Sequence, residues 1–479
     1  MAQICVFLSQ ALVTSICACM SDRQDPRRWW MLPVILTGSF LSFLDFFIVN
    51  IALPAIHLDL GASPAQLQLV VAGYGIGFAV SLITGGRLGD IYGRRRVFLA
   101  GLACFTLASA LCAVAPSAPV LIASRVVQAV AAATLTPQVL AIIRMEFAPG
   151  ERRVAIGLYG TSMGLASIAA QVVGGVLVSA DLFGWSWRPI FLINIPIGAV
   201  AFCLALRMLR ESRSTAKPTL DLPGVALISV GLFLLVYPLV EGREQGWPTW
   251  SFAMLAASLS VLFGFIRYEQ HVIHAGRTPL VALHLLRISA IGYGLVVSAA
   301  FFTGLAAFFV VLTVVLQTGL GYSAFAAGMM FLPFAVGFSV ASAASGLVGA
   351  RLGARIVNLG TALMALSLAC LIVLPSVDVC ALAVLFALYG VGQGFAQPAL
   401  INTVVGARGV AGEDAGAAAG LFLTTAQSCI ALGVAVIGDV FFAHLGVAPI
   451  QADYLAAMRV ALSCNLTLQV ATFLLVLKS

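Results

Sequence analysis

The feature that most constrains this chain is a series of fourteen apolar runs, each long enough to cross a lipid bilayer. A helix needs roughly 17–25 predominantly apolar residues to do so. The runs lie at 31–52, 67–86, 97–115, 119–142, 155–178, 188–207, 223–240, 250–267, 289–317, 324–348, 356–374, 379–402, 416–443 and 455–477. In hydrocarbon every backbone N–H and C=O must find a partner inside the protein, so runs of this length predict helices. No stretch between them is long enough for a separate soluble domain, which takes on the order of 100 residues. Charged residues make up 9% of the chain, whereas a soluble domain carries about 25%. Lipid is therefore the solvent for most of the surface, and the expected class is an all-α integral membrane protein.

Charge placement supports the count. The formal net charge is +7. With fourteen spans both termini fall on one side, and the great majority of the Lys and Arg residues gather there, including Arg94, Arg95, Arg96, Arg144, Arg152 and Arg355. The exceptions are Arg243, Arg459, the membrane-edge Arg188 and Arg125, which lies inside a span. Loops rich in Lys and Arg face the cytoplasm, so both termini are expected there. The positive charge is thus read as topology and as contact with membrane lipids, and no nucleic-acid partner is expected. The layout is an N-terminal cytoplasmic segment (1–30), a six-helix bundle (31–207), a cytoplasmic linker (208–222), two extra transmembrane helices (223–267), a second linker (268–288) and a C-terminal six-helix bundle (289–479). Residues 1–19 have no positive n-region, as a secretory signal would require. The basic segment that follows them suggests Met20 as the true start.

An internal repeat supports the two-bundle division. Gly86, Gly89, Gly93 and Arg95 have the same spacing as Gly346, Gly349, Gly353 and Arg355. Each set follows the second span of its six-span block. Two related halves in parallel orientation, with a site between them, are one established build of transporter.

Several segments carry a family resemblance. Gly85 to Arg96 (GGRLGDIYGRRR) resembles the loop 2–3 signature of the major facilitator superfamily. Leu44 to Pro54 (LDFFIVNIALP) is similar to the first-span motif of that superfamily's fourteen-span drug:proton antiporter branch, with Phe47 where the motif has Thr. Trp187 to Gly198 (WRPIFLINIPIG) resembles the entry to its sixth span. The fifth span departs from the antiporter pattern: Ala170-Gln171-Val172-Val173-Gly174-Gly175 keeps the glycine pair and lacks the proline. The resemblance implies a major facilitator fold with two extra helices. It further implies secondary transport by alternating access, namely proton-coupled efflux of amphipathic drugs or other small organic molecules through a bacterial-type cytoplasmic (inner) membrane. It also implies that Gly86, Gly89, Asp90, Gly93, Arg94 and Arg95 form a conformational latch.

Individual residues extend that reading. Asp45 places an acid inside an apolar span, at a cost of roughly 2.5–3.5 kcal/mol on insertion scales, and is the leading proton-coupling candidate. Arg125 stays charged in a membrane and needs an acid or carbonyl partner. It begins Arg125-Val-Val-Gln128-Ala129, which resembles the family's fourth-span motif, with Ala129 where the motif has Gly, and in the family this Arg is linked to proton transfer. Asp439 is a further membrane-level acid and the third coupling candidate. Asn50, Gln128, Gln171, Gln393 and Gln397 are candidates to line a substrate cavity. The phenylalanines at 301, 302, 308, 309, 331 and 334 read either as an aromatic wall or as packing. Walker, zinc-protease and nucleophile-elbow motifs are missing, and the five His are scattered, so no enzyme activity, cofactor or metal is expected, only a proton gradient as energy source. A same-fold carrier for a specific metabolite is the alternative, and a membrane-embedded enzyme a more distant one. The expected unit is a monomer handling a small organic substrate. Some exporters of this branch also use a periplasmic adaptor, a partner on which no motif here bears.

Overall fold

A computed structural model describes residues 28–181, 184–212, 220–275, 277, 279–353, 355–374, 378–405, 415–446 and 449–477. The expected start at Met20 falls outside them. Fourteen helices are long and apolar enough to span a membrane, and no strand occurs among the described residues. The first six are α1 (Arg28–Leu60), α2 (Pro64–Tyr92), α3 (Arg94–Ala113), α4 (Ala118–Glu146), α5 (Pro149–Ala180) and α6 (Pro189–Met208). Two more follow, α7 (Leu222–Glu244) and α8 (Thr249–His274). The last six are α9 (Ser289–Gly319), α10 (Ala324–Leu352), α11 (Arg355–Val373), α12 (Val379–Val405), α13 (Ala415–Leu445) and α14 (Gln451–Leu477).

Helix starts follow from local chemistry. Ser63 and Gln66 form a reciprocal capping box, Gln66 N donating to Ser63 Oγ at 3.2 Å and Ser63 N to Gln66 Oε1 at 3.0 Å, with Pro64 in the first turn. Such a box satisfies N–H groups that have no partner within the helix. Asp221, Ser323 and Asp378 cap α7, α10 and α12 in the same sense, accepting from the N–H three residues on.

The repeat seen in the sequence has one structural role in both halves. Gly93 and Gly353 end α2 and α10 with φ of 104° and 57°, and their N–H groups donate to the Gly89 and Gly349 carbonyls at 3.0 and 2.8 Å. Side chains rarely adopt such φ values, whereas glycine does so freely. The most extensive helix contacts, α2 with α4 and α10 with α12, also correspond under the repeat. We expect Gly93→Val to lower stability by about 1–3 kcal/mol. Thermal unfolding of the solubilised protein checks this against Gly157→Ala, where an added Cβ meets nothing within 4 Å and no loss is expected.

The two sets of six helices meet along α5–α10 and α2–α13. At the arginine-poor end contact is tight. Phe325 N donates to Ser179 Oγ at 2.8 Å, and Gln317 Nε2 to the Ile51 carbonyl at 2.8 Å. Gln317 lies in a π-helical turn, Val315–Gly319, that closes α9. Toward the arginine-rich end the α5–α10 seam opens. Gly164 still meets Ser339, but the next positions on the same faces, Gly160, Gly157 and Gly346, are exposed and face open space. The structure is thus a conformer closed at the arginine-poor end. In α9, 83% of the most apolar stretch is buried against protein, against 17% in α8, so α9 is central and α8 faces lipid. The phenylalanines of the C-terminal half are packing: Phe301, Phe302, Phe308, Phe309, Phe331 and Phe334 are all buried. Phe308 stacks on Tyr389 at 4.1 Å, and Phe309 meets Phe47 of α1 at 5.4 Å.

Candidate functional site: a buried ion pair in the N-terminal half

Asp45 and Arg125, 80 residues apart, form an ion pair with both side chains fully buried. Ionised groups removed from water require both opposite charge and hydrogen bonds, and the surrounding helices supply them. Gln128, one turn along α4 from Arg125, accepts from Arg125 Nη1 at 2.7 Å and donates through Nε2 to Asp45 Oδ1 at 3.0 Å. The same amide nitrogen reaches Ser109 Oγ on α3 at 2.7 Å. Asn194 on α6 donates to Asp45 Oδ1 at 2.8 Å. Arg125 also donates to the Val70 and Asp45 carbonyls, both at 3.4 Å. Its guanidinium lies 4.2 Å from the centre of the Tyr74 ring and 5.6 Å from that of Phe191. Cations favour aromatic faces, most where water is excluded. Side chains of α1, α2, α3, α4 and α6 thus enclose a single pair of charges.

The sixth-span motif builds one wall of this site. Trp187 Nε1 and Arg188 Nη1 both donate to Asp59 Oδ2 at the end of α1, at 2.9 and 2.5 Å. Phe191 then covers Arg125, and Asn194 reaches Asp45. Pro196 has no N–H for the regular helix bond, and α6 is interrupted at Ile193, immediately before Asn194. Asn194, Ser109 and Tyr74 are site residues that the reading of the sequence did not single out. Asn194 carried a usable signal, an amide within an apolar run. Ser109 and Tyr74 carried none, because small hydroxyls and tyrosines are common in spans.

Of the other candidates only Gln128 belongs to this site. Gln128, taken as a cavity residue, sits inside the ion-pair network. Asn50 is buried with its amide turned to the carbonyls of its own helix, 3.2 Å from that of Phe47. Gln171 is buried on the α5–α10 seam, its carbonyl against Gly328. Gln393 donates to Gln397 Oε1 at 3.3 Å. The amide oxygens of Asn50, Gln171 and Gln393 have no partner among the described residues. Asp439 takes no part in the Asp45 network and pairs with Arg243 of α7.

The loop 2–3 residues form a compact turn. Gln138 of α4 lies where a Cβ at Gly89 would fall, and it donates to the Gly85 carbonyl at 2.8 Å. Arg94 bonds Asp90 at 3.1 Å. Arg95 reaches the Leu206 carbonyl at 2.7 Å, and Arg94 N the Ser212 carbonyl at 3.0 Å. Among the described residues these bonds join α2, α3, α4, the end of α6 and the segment after it, and none crosses to the C-terminal half. That agrees with the separation of the halves at this end.

The sequence matches the profile of the Major Facilitator Superfamily over residues 35–434. The chain belongs to the major facilitator superfamily. A probable actinorhodin transporter of Streptomyces coelicolor is 39% identical over 88% of this chain and 73% of its own length. A puromycin resistance protein of Streptomyces alboniger is 36% identical over 87% and 82%, and a tetracenomycin C resistance and export protein of Streptomyces glaucescens is 33% identical over 88% and 77%. The major facilitator fold is equally plain. The inward-facing, unoccupied crystal structure of a bacterial homolog of the human lysosomal transporter Spinster superposes with a TM-score of 0.69 at 17% identity, covering 95% of this chain and 97% of that one. As a member of this superfamily the chain is a multi-pass membrane transporter, and its relatives are drug and antibiotic exporters.

Proposed function

We propose that this protein is a proton-coupled exporter of small amphipathic organic molecules, in the class named for its relatives, working by alternating access. The observation that carries the reading is the fully buried Asp45–Arg125 pair with its Gln128 and Asn194 donors. A carboxylate in such a site is held by one cation and a few hydrogen bonds, so a proton arriving on Asp45 removes half of a balanced pair. The helix that carries Asp45 also makes contacts across the halves. Phe47 meets Phe309 and Ile51 accepts from Gln317, while Ile48 and Ile51 pack on Gly174 of α5, the helix that lines the seam with α10. Protonation therefore acts within two turns of the seam that must open. The glycine pair of the fifth span supports the same cycle without its proline, since Gly174 and Gly175 let α5 approach α1 and α10 closely.

The arginine-rich end, and with it both termini, faces the cytoplasm of a bacterial-type inner membrane. The conformer described above is then inward-facing, ready to take substrate from the cytoplasm. Each proton that moves inward across 100 mV releases about 2.3 kcal/mol, which drives export without any bound cofactor. A monomer contains both halves and suffices.

The test is transport by the reconstituted protein in proteoliposomes, with lipophilic cations and neutral aromatic drugs offered at the cytoplasmic face and lumenal pH followed. Substrate-dependent proton counterflow is expected, and Asp45→Asn should abolish it. Substrate flux with no proton flux, or normal coupling in Asp45→Asn, would remove proton antiport through this site.

A further inference from the structure

The extra helix pair does more than lie at the periphery. Helix α7 packs along α2 of the N-terminal half and along α13 of the C-terminal half. These two helices face each other across one seam, where Gly75 meets Ala431 and Thr424 donates to the Ala79 carbonyl at 3.3 Å. At the arginine-poor end, neighbouring residues of α7 grip opposite halves. Arg243 pairs with Asp439 of α13. Glu244 accepts from Ala65 N, in the first turn of α2, at 2.7 Å. At the other end the hairpin is bound to α2. Glu269 of α8 is fully buried and accepts from the N–H groups of Leu280 and Val281 at 3.3 and 3.0 Å. Arg87 of α2 donates to the Pro279 carbonyl. Residues 279–281 are thereby fastened between α8 and α2.

We propose that α7 is a strap over the α2–α13 seam, anchored to the N-terminal half and releasing the C-terminal half by parting Arg243 from Asp439 when the arginine-poor end opens. This rests on alternating access by the major facilitator fold, not on what is carried or on proton coupling. The two kinds of anchor differ in how readily they part. Glu269 is wholly buried, hydrogen-bonded to Asp221 and to two backbone N–H groups, and losing these partners would leave its carboxyl group unsatisfied where water does not reach. The Arg243 and Asp439 side chains are 22% and 16% exposed, so water can solvate both once they separate. A partly hydrated pair contributes little to overall stability. It can still bias two conformers, because it exists in only one of them. Rocking of one half against the other is the motion that would part it.

Hydrogen–deuterium exchange of the full-length protein in lipid nanodiscs tests the strap without substrate or a pH gradient, so its failure is separate from failure of the export reading. Arg243→Gln should speed exchange about fivefold or more at 64–70 and 436–445, the size of a typical coupling between sites. Exchange at 154–164 and 339–350 should slow as the arginine-rich end closes. The exchanged pair Arg243→Asp with Asp439→Arg should return both regions to wild-type rates. If that pair does not fold, Asp439→Asn carries the same expectation as Arg243→Gln. Unchanged rates in the single variants would overturn the proposal. So would faster exchange confined to 236–248, which would mean that the pair only fastens the hairpin tip.

Discussion

Asp45→Leu is expected to cost about 3–5 kcal/mol, because it leaves the Arg125 guanidinium charged and unpaired where water does not reach. That is a large share of the stability of an ordinary domain. Arg125→Leu should behave alike, stranding the Asp45 carboxylate among Gln128 and Asn194. The double variant Asp45→Asn with Arg125→Gln removes both charges and keeps groups that can hydrogen-bond to Ser109, Gln128 and Asn194. It should recover most of the lost stability, since replacing a whole buried pair is often close to neutral. Its proton counterflow should remain absent. Thermal unfolding and the yield of monodisperse protein report the first effect, and the proteoliposome assay the second. Single variants as stable as wild type would show that the pair is not sealed from water. A double variant that still exchanges protons for substrate would place the coupling group elsewhere.

Gly328→Leu should act on the cycle and spare the fold. Gly328 of α10 lies so close to the Gln171 carbonyl of α5 that a Cβ has no room, and an added Cβ at Gly175 would sit 2.9 Å from the Ala324 carbonyl oxygen. Backbone carbonyls cannot rotate away as a flexible side chain can. The strain falls on the seam between halves, each of which has its own packed interior. Overpacking of about 1–3 kcal/mol would therefore be relieved by holding the arginine-poor end open. We expect transport to fall by about tenfold or more, the population change such an energy implies, with the unfolding temperature nearly unchanged. Gly390→Leu is the contrast. Gly390 of α12 meets the Phe334 carbonyl within the C-terminal half, so there the cost should appear as lower stability. Equal loss of stability in both variants would contradict the division into two rocking units.

The span count, the all-helical class, the parallel repeat and the two charged residues of the site could all be read along the chain. Each is a local property. Apolar run length follows from bilayer thickness, the glycine turns at Gly93 and Gly353 from backbone sterics, and Asp45 and Arg125 stand out because charge is costly in hydrocarbon. The motif at Trp187 to Gly198 pointed to the family without revealing that Trp187 and Arg188 clamp Asp59, or that Asn194 serves Asp45.

Which side chains meet across helices could not be read in the same way. Helical periodicity says which residues share a face, not which face of another helix they find, and in lipid no hydrophobic pattern marks the interior side. Asp439 illustrates the difference. In the sequence it resembled Asp45, an acid in a span, and was grouped with it. Packing places it against Arg243 of α7, on a seam between halves, while Asp45 lies wholly inside one half. The extra helices illustrate it again: their place between the two repeated six-span blocks marked them as additional, and their position across α2 and α13 followed only from contacts between residues far apart in the chain. Local chemistry along the chain settled how many helices there are, where they start and which charges they bury. Long-range packing settled which of those charges meet, and so which acid pairs inside the N-terminal half and which one links α7 to the C-terminal half.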